Sequence, residues 1–385
     1  MKAFEHQHGG ALVFGNGRIG EVGTIVSRYG RRCLIVSGSK WGALRYLYPI
    51  VGELLEHVGL EWEQFDGVMP NPGGDLISAG AKLAKTFKAD VIVGIGGGSC
   101  IDAAKAISIE ATHEGTSWDY AIYKERPSSR TLPVVAVGTT AGSGSQVTTV
   151  AVITNTDSRD RSAICSDHLI PRAAIVDPQL MLSVPPRVTA ATGFGVFCRA
   201  IESILNRRCN PLTELFGWEA ISRVVNDLPV AVREGSNLGA RSSLAWADTL
   251  AGFAMCGSGV GLPHALAIAI GGKFAHVSHG AALVSVYRAY LKYTWAYAVS
   301  TFARLAHMLD PALDDVPAAD AAEQCPALMK AFLSRIDLTY TLRDFTIAEE
   351  ELPALAKQAM VFPDYSRNPR VPTLEDILEI IAASY

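Results

Sequence analysis

The chain has 385 residues, of which 49% are hydrophobic and 19% charged, and a formal net charge of −4. That length exceeds one ordinary core and predicts two domains, and the composition is that of a globular protein with much buried surface. A net negative charge with no block of like charges excludes the concentrated basic face that a nucleic-acid binder needs.

In chain order, "ALVF" (11–14), "CLIVS" (33–37), "DVIVGI" (90–95), "PVVAV" (133–137), "VAVIT" (150–154) and "AAIVD" (173–177) read as strands, with a helical stretch from Leu76 to Phe87. Strands alternating with helices predict a parallel, doubly wound sheet, with ligands at the carboxyl ends of the strands. "VITNTDSRDRSAI" reads instead as two strands about a polar turn. From Pro178 helical periodicity takes over, starting with "VPPRVTAATGFGVFCRAIESIL". The boundary is therefore set near 180, giving an α/β plus all-α chain: an α/β domain over 1–180 and a helical domain over 181–385. A cleft between the two is the expected ligand site.

The most apolar region, Leu250 to Gly272, is interrupted by Ser258, Pro263, His264 and several glycines. It reads as packed helices with a break, not as a membrane span. The start, "MKAFEHQHGG", lacks the apolar core of a signal peptide, so the expected location is cytoplasmic. Seven scattered cysteines without a CxxC pair indicate neither a zinc knuckle nor a disulfide framework.

Two loops carry chemistry. In "VIVGIGGGSCIDAAKAI" (91–107) a buried strand runs into Gly96, Gly97, Gly98 and Ser99, and a helix follows with Asp102 near its start. Such glycines let backbone N–H groups approach a pyrophosphate, and the helix N-terminus adds partial positive charge. The pattern is neither GxGxxG nor a P-loop, and a ligand-free tight turn is the alternative. In "GTTAGSGSQVT" (138–148), Thr139, Thr140 and Ser143 offer donors to phosphate or ribose oxygens. The alternative there is a polar loop with a helix cap at Ser145. Further on, His264, His276 and His279 lie within sixteen residues. They are either metal ligands or histidines satisfied within a helical core.

"GGGSCIDAAKA", "TTAGSGSQVT", "PRAAIVDPQLMLSVPP", "TAATGFGVFCRAIES" and "HVSHGAAL" follow one another here, with "FGNG" (14–17), Asn71–Pro72 and "NPRVPTLEDI" (368–377). In these motifs the whole chain resembles the iron-containing (group III) alcohol dehydrogenase family. The resemblance implies a Rossmann-like N-terminal dinucleotide-binding domain and a helical C-terminal domain, the dehydroquinate synthase-like arrangement. It also implies NAD(P)-dependent carbonyl or alcohol chemistry on a small molecule. By position, Gly97, Gly98 and Ser99 would meet the diphosphate, with Asp102 supporting that turn. Thr139, Thr140 and Ser143 would line the cofactor, Asn71 would lie near the adenosine ribose, and Arg161 near the nicotinamide ribose, where relatives often have lysine. After the second strand, relatives that prefer NAD place an acid for the ribose 2′-hydroxyl. Here Gly38 stands there, among Ser37, Ser39 and Lys40. Hydroxyls and a cation without the acid favour NADP(H) over NAD(H).

The family's metal is held by an Asp and a His one helical turn apart and by two later histidines. The resemblance puts the first pair at Gly195 and Arg199 and the later pair at His264 and His279, with His276 as a fallback. Glycine has no ligating side chain, and arginine is a permanent cation. A catalytic metal is therefore not expected. Arg199 would supply fixed charge and donors in its place, with His264 or His279 as proton donor, in an NADPH-dependent reductase of an aldehyde, ketone or related C=N compound. The alternatives are that Arg199 anchors a substrate carboxylate or phosphate bidentately, that it pairs with Glu202 in a decayed site, that the histidines hold a metal after all, or that the fold serves a non-redox or binding role. Self-association into a homo-oligomer is an open expectation.

Overall fold

The structure is a computed structural model that describes residues 3–5, 9–39, 42–123 and 125–385. Lys40, one of the cofactor candidates, lies outside the described residues. Contacts divide the chain into two compact units, one ending at Val184 and the other containing Pro185–Tyr385.

The first unit contains strands β1 (Ala11–Phe14), β2 (Arg32–Ser37), β3 (Glu61–Phe65), β4 (Val91–Gly96), β5 (Val134–Gly138), β6 (Val150–Asn155), β7 (Asp160–Cys165) and β8 (Ala173–Val176). Its helices are α1 (Val22–Val26), α2 (Leu47–His57), α3 (Gly74–Phe87) and α4 (Gly98–Glu110). Six strands form one parallel sheet in the order β1-β8-β5-β4-β2-β3. Both faces are covered. Leu34, Val36 and Ile92 pack with α3 and α4, whereas Cys33, Ile35, Val91, Val93 and Ile95 pack with α1 and α2. Burial on both faces is why these strands read as unbroken apolar runs. From β2 the chain moves outward to β3, then returns to β4 on the other side of β2 and continues to β5 and β8. The order thus reverses between β2 and β4, the point at which such sheets open a crevice for ligands.

Two elements depart from the expected pattern. β3, "EWEQF", alternates charge with apolar residues because it is the sheet's outer strand, where charge blunts edge pairing; Glu61 pairs with Arg32 at 3.0 Å. "VAVIT" lies outside the parallel sheet: as β6 it pairs antiparallel with β7, giving the two strands about a polar turn that "VITNTDSRDRSAI" predicts. Asn155 closes the turn by accepting from the Asp157 and Ser158 N–H groups.

The second unit is helical: α5 (Pro186–Leu205), α6 (Pro211–Arg233), α7 (Leu238–Ser258), α8 (Leu262–Lys273), α9 (His279–Thr294), α10 (Val299–Leu309), α11 (Ala318–Arg335), α12 (Leu352–Ala359) and α13 (Leu374–Ala382). Sequence signals mark several starts. Asn210 caps α6 with Pro211 behind it, Asn237 caps α7, Ser278 caps α9, and Thr373 forms a capping box with Asp376 on α13. α5 is long and apolar enough to cross a membrane, but it is mostly buried and packs against α6, α7 and α9, as a core helix does. α7 and α8 meet at 103° across a break in which Gly259 takes φ 90°.

Candidate functional site

At the carboxyl end of β4 the chain turns through Gly96, at φ 150°, and enters α4. A Cβ on Gly96 would sit 2.5 Å from Cys100 Sγ, and one on Gly94 would sit 2.9 Å from Ala104 Cβ. The glycines therefore let α4 lie close on the sheet, with the N–H groups of its first turn open to a ligand. The second loop closes over the first. Thr139 N donates to Gly96 O at 3.0 Å, and a Cβ on Gly97 would meet Thr140 Oγ1 at 3.0 Å. A Cβ on Gly98 would lie 2.5 Å from Ser143 Cβ. Gly97, Gly98, Ser99, Thr139, Thr140 and Ser143 thus form one cradle, shaped for the backbone to approach an anion. Gly38, at the end of β2, lies across the crevice from Cys100, with nothing nearer than 3.9 Å to a Cβ built on it.

Neither Ser145 nor Ser37 plays its expected part. Gly144, in the left-handed region, occupies the cap position, and Ser145 Oγ donates to Asp102 Oδ1 at 2.5 Å. Ser37 is fully buried; its hydroxyl accepts from Gln64 Nε2 and donates to the Gly38 carbonyl, so it is not offered to a cofactor. Ser39 is exposed, and its carbonyl accepts from Gly42 N.

Asp102, expected to support the glycine turn, joins α4 to Ser145 of the second loop. It also accepts from Val152 N at 3.1 Å, tying α4 to the β6–β7 hairpin. Burial raises its pKa above the usual carboxylate range, against the opposing pull of Lys105, Ser145, the Val152 N–H and Arg161. Lys105, one turn on, was not foreseen. Its fully buried ammonium donates to the carbonyls of Ser145, Thr148 and Val150 at 2.7, 2.7 and 2.8 Å. A lone cation inside the otherwise apolar run "AAKAISI" was the available signal.

Arg161 projects from β7 and is buried; burial pushes its pKa down to about 10, with Asp102 pulling the other way. Its cross-strand partner is Thr154, whose N–H donates to Pro72 O at 2.9 Å. The segment carrying Asn71 therefore lies against the residue paired with Arg161.

In the helical unit, Gly195, Arg199 and Glu202 follow one another down the buried side of α5. Arg199 Nη2 faces Asp248 Oδ1 on α7 at 3.5 Å, with both side chains almost wholly buried. The expected alternative pairing of Arg199 with Glu202 is corrected. Glu202 points instead to the α7–α8 break, where Oε2 accepts from Gly261 N at 2.8 Å and the carboxylate meets His264 Nδ1 at 2.9 Å. A carboxylate held by the Gly261 N–H, just before α8, and by the imidazole fixes the ring and leaves Nε2 as its other face. Its negative charge also helps to hold Cys198, Tyr287 and Tyr290 well above their ordinary pKa values, after burial itself. His279 opens α9 with its ring centroid 5.3 Å from that of His264. His276 leaves the group: it lies in the turn before α9, and Nε2 contacts the Phe345 carbonyl at 3.0 Å.

This donor set does not fit a metal ion. Gly195 has no ligand, Arg199 brings a cation, His264 Nδ1 is engaged by Glu202, and His276 is turned to a carbonyl. Among the described residues, no three His, Cys, Asp or Glu side chains are grouped to hold one.

Comparison with known proteins accounts for both halves. The model of the iron-containing alcohol dehydrogenase family matches residues 10–178, and that of the Fe-containing alcohol dehydrogenase family C-terminal region matches residues 189–385. The 1,3-propanediol dehydrogenase of Klebsiella pneumoniae is 32% identical over 369 residues, 94% of this chain and 95% of its own. The NAD-dependent methanol dehydrogenase of Bacillus methanolicus is 31% identical over 373 residues, covering 96% and 97%. Among solved structures, an archaeal halo-thermophilic Red Sea brine pool alcohol dehydrogenase superposes with a TM-score of 0.94 at 29% identity, over 100% of both chains.

Proposed function

The chain belongs to the iron-containing alcohol dehydrogenase family and is an alcohol dehydrogenase-like oxidoreductase, and from that premise we propose a metal-independent reductase of a small aldehyde, ketone or related C=N compound, preferring NADP(H) and working in the cytoplasm. The observation that carries this reading is the buried Arg199–Asp248 pair at a position where the family places a metal ligand. When bound, the nicotinamide supplies the hydride. Gly97, Gly98 and Ser99 offer backbone N–H groups to the diphosphate, and Thr139, Thr140 and Ser143 line the cradle beside them. His264 Nε2 delivers the proton to the developing alkoxide, its ring oriented by Glu202. Arg199, held by Asp248, supplies N–H donors where relatives have a Lewis acid, so the site stabilises oxygen charge by hydrogen bonding rather than by net cationic charge. His279, beside His264, is the second candidate for the proton.

The preference for NADP(H) rests on Gly38. A Cβ built there would meet Tyr48, Val68 and Cys100 at ordinary contact distances of 3.9–4.0 Å, so the backbone alone does not demand glycine. The methanol dehydrogenase relative is NAD-dependent, so a preference for NADP(H) would set this chain apart from it. The test is elemental analysis of gently purified protein, combined with turnover of a carbonyl panel with NADPH and with NADH. Activity that survives chelation, with less than stoichiometric iron or zinc and a higher kcat/KM for NADPH, is expected. Stoichiometric metal required for turnover would overturn the metal-free reading, and a clear NADH preference would overturn the cofactor assignment.

A further inference from the structure

The break between α7 and α8 is held from two sides. On one side stands the end of α5: Ser203 Oγ donates to Gly259 O at 3.0 Å, Asn206 Nδ2 donates to Val260 O at 2.9 Å, and Glu202 accepts from Gly261 N. On the other stands the short helix Pro363–Arg367, with Asn368 behind it. Asn368 is buried, and its Oδ1 accepts from Leu262 N and from the Tyr290 hydroxyl, each at 3.3 Å. Its Nδ2 donates to Tyr365 O at 3.0 Å. Pro263 has no N–H, so Glu202 and Asn368 between them take the first two donors of α8, which have no partner within the helix.

Two glycines make the second side possible. A Cβ on Gly261 would sit 2.6 Å from Asn368 Oδ1, and one on Gly259 would sit 2.4 Å from Arg367 Nη1. Gly259 needs glycine for its φ as well, but Gly261 does not: at φ −128° and ψ −159° it is extended, a conformation open to any residue. The glycine at 261 therefore answers to the approach of Asn368. The segment is fixed in turn. Arg367 Nη1 pairs with Asp364 Oδ1 at 2.9 Å, Arg207 N donates to Arg367 O at 3.0 Å, and Arg207 Nη2 donates to Pro369 O at 3.2 Å. Arg207 lies just beyond α5, the helix that carries Arg199 and Glu202. His264 is the third residue of α8, so its ring goes where the start of that helix goes. Glu202 alone would leave the ring free to swing about one contact, and a second anchor on the backbone fixes the direction of Nε2.

We propose that Asn368 is a positioning residue for the reaction: by holding the Leu262 N–H it sets the start of α8, and with Glu202 it directs His264 Nε2 at the oxygen that takes up the proton. This rests on the reductase reading above, in which His264 delivers that proton. A proton donor works only within hydrogen-bond reach of its acceptor, so a small displacement of the helix start is costly in rate. The test compares the parent with Asn368→Leu, Asn368→Ala, Gly261→Ala and the double variant Gly261→Ala with Asn368→Ala. Measured for each are kcat and KM for a reduced carbonyl, the affinity for NADPH, and the far-downfield proton resonance of His264 Nδ1–H held by Glu202, assigned by its loss in His264→Gln.

Asn368→Leu keeps the size and removes the acceptor. It should lower kcat about tenfold, leave KM and NADPH affinity within about threefold, and shift or broaden the Nδ1 resonance. Gly261→Ala drives a methyl against Asn368 Oδ1 and should act in the same way. Added to Asn368→Ala it should cost nothing more, because the atom it displaces is gone. A folded Asn368→Leu with the kcat and the resonance of its parent would overturn the proposal. Additive losses in the double variant would do so too, since Gly261 would then answer to some other neighbour. Should Asn368→Leu fail to fold, Gly261→Ala and the double variant decide. If the parent reduces no carbonyl, the reductase reading falls and the resonance decides alone: absent from the parent, or unmoved in the variants, it overturns the positioning role.

Discussion

The carboxyl ends of β4 and β5 present backbone N–H groups, whereas the helical unit presents side chains on α5, α8 and α9. The first site is specified by what is absent: no Cβ at Gly97 or Gly98, where one would collide with Thr140 or Ser143. The second is specified by charge, through Arg199 against Asp248 and Glu202 against His264 and the Gly261 N–H. The two respond differently to change. A backbone site tolerates drift in its surroundings while its shape persists. A side-chain site can be converted by one substitution, provided that a second supplies the counter-charge.

The largest effect should come from breaking that counter-charge. Asp248→Asn keeps the shape and removes the anion facing buried Arg199, and should cost about 3 kcal/mol in chemical denaturation. Arg199→Met with Asp248→Leu should recover most of it, since apolar replacement of a whole buried pair is often tolerated. An Asp248→Asn protein as stable as its parent would mean that the pair does not govern this corner. Next, Gly98→Ala places a methyl 2.5 Å from Ser143 Cβ. It should weaken NADPH binding at least tenfold, about 1.4 kcal/mol, while the helical unit's melting is unmoved. Unchanged binding would remove the first loop from the cofactor site.

The smallest effect concerns the aromatic residues behind Glu202. Burial holds Tyr287 and Tyr290 well above the ordinary phenol range, with the Glu202 charge adding to it. The folded state then keeps protons that the unfolded chain releases above about pH 10. Stability is fully present below that pH and falls as pH rises through it. An absorbance titration should find these two phenols ionising only as the protein unfolds.

How legible each region was follows from what built it. The sheet strands stood out because both faces are covered, and the glycine loop because a close backbone approach needs glycine itself. β3 was hidden, since an edge strand carries Glu61 and Glu63 where a central one would carry valine. Gly195 and Arg199 were recognisable as replaced ligands only through the family resemblance. The partner of Arg199 was not recoverable at all: Asp248 lies 49 residues away, on another helix. Ser37 and His276 looked available because a sequence displays hydroxyls and imidazoles without the direction in which they point. Lys105 was visible as a charge in an apolar run and went unused, because its partners are carbonyls, which no residue name announces.

That lysine bears on how a family diversifies. The β6–β7 hairpin has its own ladder, separate from the six-stranded sheet, and hangs on α4 through Lys105 and Asp102. Residues on its outer face, such as 154 and 161, can be exchanged without shifting the register of any sheet strand. The same helix that fastens the hairpin begins in the glycine loop, about one turn before Asp102. The outer face of the hairpin can therefore change while the glycine loop keeps its shape.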